Sequence, residues 1–137
     1  NLFKLFYLDT GMLMSSYYKR VAQGVFDGEA EDAFGMNMGA AFEGFVAQEL
    51  KAHGFRLRYF TSKKVGELDF VEETLDGEVL AIEVKSGKSF KSHAALDNAL
   101  ATKGYGIDRA LVLAECNLHR DGDVLYLPIF MAGLLEP

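Results

Sequence analysis

Cysteine and proline are almost absent from this 137-residue chain, which has one of the first and two of the second. A lone thiol, Cys116, excludes an internal disulfide framework and suits a reducing cytoplasm. No stretch approaches the roughly 20 uninterrupted apolar residues of a membrane span, and no secretory leader is visible. Internal repeats and low-complexity segments are missing as well. Nor does the chain open with methionine. It starts at Asn1 and enters at once the apolar run Leu2-Phe3-Lys4-Leu5-Phe6-Tyr7-Leu8, as a piece cut from a longer protein would. What remains is half hydrophobic and rich in aromatics. That composition describes one folded domain, residues 1–137, with a sizeable core.

The net charge of −6 argues against a freestanding domain that grips nucleic acid by bulk electrostatics. The charge is nevertheless segregated. From Val21 to Leu50 there is no Lys or Arg, while Asp27, Glu29, Glu31, Asp32, Glu43 and Glu49 are acidic. Between Lys51 and Gly66 the sign reverses, with Lys51, Arg56, Arg58, Lys63 and Lys64 and no acid. Lys85, Lys88 and Lys91 form a second basic group. A basic rim beside an acidic centre could meet phosphates; each charge taken alone is ordinary solvated surface.

Patterning predicts a short strand over 3–8, then a helix capped by Asp9 or Thr10 and running to about Arg20. The acidic, Gly-rich stretch from Gln23 to Gly35 reads as a loop. Asn37 is placed to cap a helix from Met38 to His53, whose Phe42, Phe45, Val46 and Leu50 follow helical spacing and which Gly54 stops. Strands are expected at 55–61, 66–73 and 78–85, the last two joined by a turn at Asp76-Gly77. A helix over 92–103, a strand at 109–115, a turn at Asp121-Gly122, a strand at 123–127 and a helix opened by Pro128 complete the chain. The fold class is therefore α/β, a mixed sheet of about four strands flanked by helices.

Two strand-like runs carry the chemistry: Gly66-Glu67-Leu68-Asp69-Phe70-Val71 and Ala81-Ile82-Glu83-Val84-Lys85-Ser86. Side chains two apart on a strand share a face, which groups Glu67 with Asp69 and Glu83 with Lys85. Charges amid Ile and Val are costly unless they pair or hold a metal. Phosphodiester hydrolysis needs an activated water and a counter-charge, and Mg²⁺ or Mn²⁺ on carboxylate oxygens supplies both. Asp69 and Glu83 could bridge one ion, with a Val84 carbonyl as a further ligand. Lys85 could orient the water or offset developing charge. Glu43, on the preceding helix beside Gly39, Ala40 and Gly44, is the natural fourth member, and Glu67 an outer ligand. A buried salt bridge of Lys85 with Asp69 or Glu83, without chemistry, explains the same residues equally well.

An acid on a first helix, an Asp in a strand and Glu-x-Lys on the next strand together resemble the PD-(D/E)XK nuclease superfamily. The pattern falls on Glu43, Asp69, Glu83 and Lys85. More narrowly, four blocks resemble a domain of unknown function that follows the P-loop module in bacterial and archaeal AAA-type ATPases. These are Phe-Tyr-Leu-Asp-Thr-Gly-Met-Leu at 6–13, Gly39-Ala-Ala-Phe-Glu-Gly-Phe-Val, Glu67-Leu-Asp-Phe-Val and Ile82-Glu-Val-Lys-Ser-Gly. The resemblance implies a restriction-endonuclease-like fold and metal ligation by Asp69, Glu83 and Glu43. It also implies nucleic acid, DNA first, as substrate and an ATPase module on the same polypeptide. A non-catalytic interaction module that keeps the fold is the alternative.

Other motifs read as structure. Asp9-Thr10-Gly11 echoes the aspartic-protease triplet, but helical spacing follows at once, so it is a helix cap. Gly87-Lys88-Ser89 lacks the Gly five residues earlier that a phosphate-binding loop needs, since Ile82 stands there. Cys116 and His119 are too few for zinc and read as a buried thiol and a surface imidazole. His93 reads as a surface residue at a helix start.

Overall fold

The two most apolar runs become the two central strands. In this computed structural model, which describes residues 3–16, 23, 27 and 38–137, Val79–Val84 and Arg109–Ala114 lie side by side and parallel. Strands buried on both faces read as continuous hydrophobic sequence, and these do. In chain order the elements are α1 (Thr10–Ser15), α2 (Met38–Ala52), β1 (Phe60–Ser62), β2 (Gly66–Leu68), β3 (Phe70–Glu73), β4 (Val79–Val84), α3 (Ala94–Leu100), β5 (Arg109–Ala114), β6 (His119–Asp121) and β7 (Val124–Pro128). Short 3₁₀ turns at Lys103–Tyr105 and Ile129–Leu134 follow α3 and β7. The main sheet is mixed and five-stranded, ordered β3-β4-β5-β7-β6, and β1 and β2 form a separate antiparallel pair. The α/β class holds.

Alternation along β4 divides the interior into two layers. Leu80, Ile82 and Val84 face one way, packing with Val46, Ala47 and Leu50 of α2 and with Ala132. Ala81 faces the other, with Leu96 and Ala99 of α3, Val65 of the β1–β2 turn, Leu68 of β2, and Tyr126 of β7. Glu83, two residues after Ala81, shares that second face.

Several expectations need correction. Residues 3–8 form no helix or strand, and among the described residues they pair with none. Helix α1 begins on Asp9, whose carboxylate accepts from Met12 N–H at 3.0 Å, and stops at Ser15. Its expected extension beyond Ser16, the Gln23–Gly35 loop apart from Gln23 and Asp27, and the Asn37 cap lie outside the described residues. The 55–61 strand shortens to β1 because Leu57 takes a left-handed φ of 54°. Buried Glu72 holds that irregular stretch, accepting from Arg58 N–H at 2.8 Å and Arg56 N–H at 3.4 Å. The 66–73 strand breaks at Asp69, its halves serving different sheets. The 92–103 helix is shorter, and the terminal helix is a 3₁₀ segment. The fifth strand, β6, is three polar residues at the sheet edge. Among the described residues no helix is long and apolar enough to cross a membrane.

Candidate functional site

The break at Asp69 builds the site. The β3–β4 ladder ends with Phe70 opposite Ile82. The N–H of Val84 therefore finds no acceptor in β3, and buried amides require one. Asp69 provides it, its Oδ2 accepting from Val84 N–H at 2.9 Å. The carboxylate is thus fixed at the end of the ladder, next to Glu83 in register.

Its other oxygen meets a residue that was not expected there. Lys4, on the N-terminal segment, lies 3.2 Å from Asp69 Oδ1, 3.3 Å from Glu43 Oε2 and 2.7 Å from Glu67 Oε1. Its ammonium also lies 5.8 Å from the centre of the Tyr59 ring. Burial works against the Lys4 charge, but the Glu67 contact and the charges of Asp69 and Glu43 outweigh it and hold its pKa well above the ordinary lysine value. The sequence does hold a signal for Lys4. It is the one charge in an apolar run, and an extended chain laid on the core turns Lys4 and Phe6 to one face. Phe6 indeed packs on Phe70, ring centres 5.8 Å apart. Nothing local says which acids would receive the amine.

Glu83 and Lys85 form the second half, paired at 2.8 Å. Glu83 is only 5 % exposed in the middle of the sheet, and its Oε2 has no hydrogen-bond partner. Burial, and then the charge of Asp69, raise its pKa against the opposing pull of Lys85. Glu43 is raised for the same reasons, burial first and Asp69 second. Asp69 acts on both acids. The expected tetrad is thus split between two ion-pair groups, Glu43 and Asp69 on Lys4 and Glu83 on Lys85, linked electrostatically through Asp69, and Glu67 joins the first of them.

The donor set is all oxygen, which suits Mg²⁺ or Mn²⁺ in kind, and the unpartnered Glu83 Oε2 is the sort of buried oxygen a cation would satisfy. The arrangement seen is another matter. Among the described residues no three His, Cys, Asp or Glu side chains are spaced to hold a metal ion. An ammonium holds three of the carboxylates instead.

His93 corrects the surface reading. It is buried, with Nε2 2.5 Å from Tyr126 Oη and Nδ1 3.0 Å from Asp97 Oδ1. Its ring acts electrostatically on Glu83. His119 stacks on Tyr126 with ring centres 4.4 Å apart, and Cys116 is half-buried. Lys63, Lys64, Lys88 and Lys91 are exposed.

A family model described as a domain of unknown function, DUF4143, matches residues 38–130. That span contains Glu43, Asp69, Glu83 and Lys85 but stops short of Lys4. No curated protein and no solved structure matches the chain.

Proposed function

This chain belongs to the family of the domain of unknown function DUF4143, and on that premise we propose that it is a nuclease-like domain of PD-(D/E)XK ancestry. It hydrolyses phosphodiester bonds of nucleic acid, DNA first, with Mg²⁺ or Mn²⁺, in the cytoplasm and as part of a larger ATPase. The observation that carries this reading is a charge imbalance. Glu43, Glu67 and Asp69 around Lys4, and Glu83 against Lys85, set four carboxylates against two ammonium groups, and Asp69 acts electrostatically on both groups. Ionised, they leave two negative charges over, and a divalent cation is the economical answer.

A bound divalent ion supplies an acidified water and a counter-charge for the phosphate. The chain's own residues do the rest. Val84 N–H fixes Asp69. Glu83 offers an oxygen with no competing partner. Lys85, 29 % exposed at its side chain, is oriented by Glu83 and reaches solvent, where it can meet a phosphoryl oxygen as charge develops there. Exposed Lys63, Lys64, Lys88 and Lys91 supply positive charge of the kind a nucleic-acid backbone meets.

The test is incubation of supercoiled plasmid and single-stranded DNA with Mg²⁺ or Mn²⁺. Wild-type protein should nick, and Lys85→Ala should lose most of that activity. No nicking by wild type above the Lys85→Ala background selects the second reading, a non-catalytic interaction module. Its own support is Lys4, which already neutralises part of the cluster.

A further inference from the structure

Residues 3–9 form a strap across the carboxylate cluster, held to it chiefly through Lys4 and Phe6. Phe3, Leu5 and Leu8 are 80, 86 and 87 % exposed. Only Lys4 and Phe6 turn inward. Beyond them the strap is pinned at Thr10, whose N–H and Oγ1 both donate to Gln48 Oε1 at 2.8 and 3.0 Å. A segment with few buried contacts and no ladder hydrogen bonds belongs to the low-stability end of a fold.

What the strap holds matters more. Val84 N–H engages Asp69 Oδ2, so the oxygen of Asp69 left for a cation is Oδ1, which Lys4 occupies. The same ammonium sits on Glu43 Oε2. Any ion shared by Asp69 and Glu43 would need the place where that nitrogen lies. Beside it opens a cleft of about 270 Å³, lined by Lys4, Gly39, Ala40, Glu43 and Glu67 among others. Its small residues leave room for a lysine side chain to swing aside.

We propose that Lys4 is a resident stand-in cation: its ammonium and a divalent metal ion contend for Asp69 Oδ1, so the 3–9 strap closes the site without metal and releases it when metal binds. This rests on the metal-binding reading above. Carboxylate oxygens from Glu43, Glu67 and Asp69 surround that nitrogen at 3.3, 2.7 and 3.2 Å, so the place it occupies is one a cation fills.

Two measurements on the full chain test it, both with Mn²⁺ alone as probe. In the first, wild-type protein is acetylated by a short pulse of an activated ester with and without saturating Mn²⁺, and each lysine is followed by mass spectrometry. Lys4 should label about tenfold faster with Mn²⁺, a change of ~1.4 kcal/mol in protection, while exposed Lys51 does not change. In the second, calorimetry should show Lys4→Met binding Mn²⁺ about tenfold more tightly than wild type. Both results are required, because removing a positive charge strengthens cation binding at a distance too. If Lys4→Met does not fold, the labelling decides. Lys4 staying protected at saturating Mn²⁺, or Lys4→Met binding no tighter, overturns the proposal and leaves the metal-binding reading standing. No Mn²⁺ uptake by either protein overturns the two together.

Discussion

Two lysines serve this site and their surroundings differ. Lys4 faces three carboxylates from α2, β2 and the β2–β3 break, brought together from 39 to 65 residues away in sequence. Lys85 faces one carboxylate, two residues away on its own strand. The first arrangement is a tertiary device: it ties the N-terminal segment to the sheet and exists only when the fold is complete. The second is a local consequence of β alternation. Glu83 and Lys85 project from one face of the chain and meet without help from any other element. An acid cluster that draws in a remote amine is regulated by whatever moves that segment. A pair on one strand is not. Asp69, which acts on Glu43 and on Glu83, is where the two arrangements join.

The joint is the place to break. Asp69→Ala removes a carboxylate from Lys4 and the acceptor from Val84 N–H, leaving a buried amide unpaired. The expected cost is about 3 kcal/mol, read from urea unfolding, with Mn²⁺ binding lost. Asp69→Asn keeps an oxygen for Val84 and should cost about half as much. If Asp69→Ala unfolds like wild type, the two halves are not coupled through that residue and the comparison fails.

The Lys85 half should respond asymmetrically. Lys85→Met strands Glu83, which is buried and has no other ion-pair partner among the described residues. We expect a loss of about 2 kcal/mol at pH 7. Acidification should recover most of it, because a stranded carboxylate can take up a proton. Thermal melts at pH 7 and pH 5 check this; an equal loss at both values would mean that the Lys85 stem, not its charge, carries the effect.

The contrast also explains what could be read in advance. Val79–Val84 and Arg109–Ala114 declare themselves by unbroken apolar sequence, and α2 by its helical spacing, so the sheet's centre and the helix bearing Glu43 were legible. Alternation put Glu83 and Lys85 on one face, and of the two acids that the sequence offered Lys85 (Asp69 and Glu83), the structure pairs it with Glu83. The break at Asp69 was hidden because Leu68 and Phe70 are both buried and the run looks like one strand; the two halves belong to different sheets. Leu57 in a left-handed conformation has no sequence signature, since that conformation is imposed by buried Glu72 taking the flanking N–H groups. His119-Arg120-Asp121 is too short and polar to look like a strand and gains its order from β7. Lys4 was hidden for the deepest reason. Its position is set by acids supplied by other elements, and no local pattern encodes that meeting.

The smallest effect belongs to Glu83→Gln, and its sign is the informative part. Burial and Asp69 raise the Glu83 pKa above the ordinary 4.5, so the folded protein holds that proton more tightly than the unfolded chain does. The contribution of Glu83 is therefore most favourable below pH 4.5 and is lost as pH rises through the elevated value; at pH 7 the ionised group opposes folding. Replacing it by the neutral amide removes that opposition but leaves Lys85 without its carboxylate. Lys85 is partly exposed, so water compensates it, and the net change at pH 7 should lie within about 1 kcal/mol of zero. The difference between wild type and Glu83→Gln should then shift toward wild type as the pH is lowered from 7 to 4.5, measured by melting temperature at each step. A difference that shifts the other way would mean that Lys85 stabilises the charged form more than burial opposes it. The Lys85 pair would then be a strong ion pair like the Lys4 group, and the contrast between the two halves would disappear.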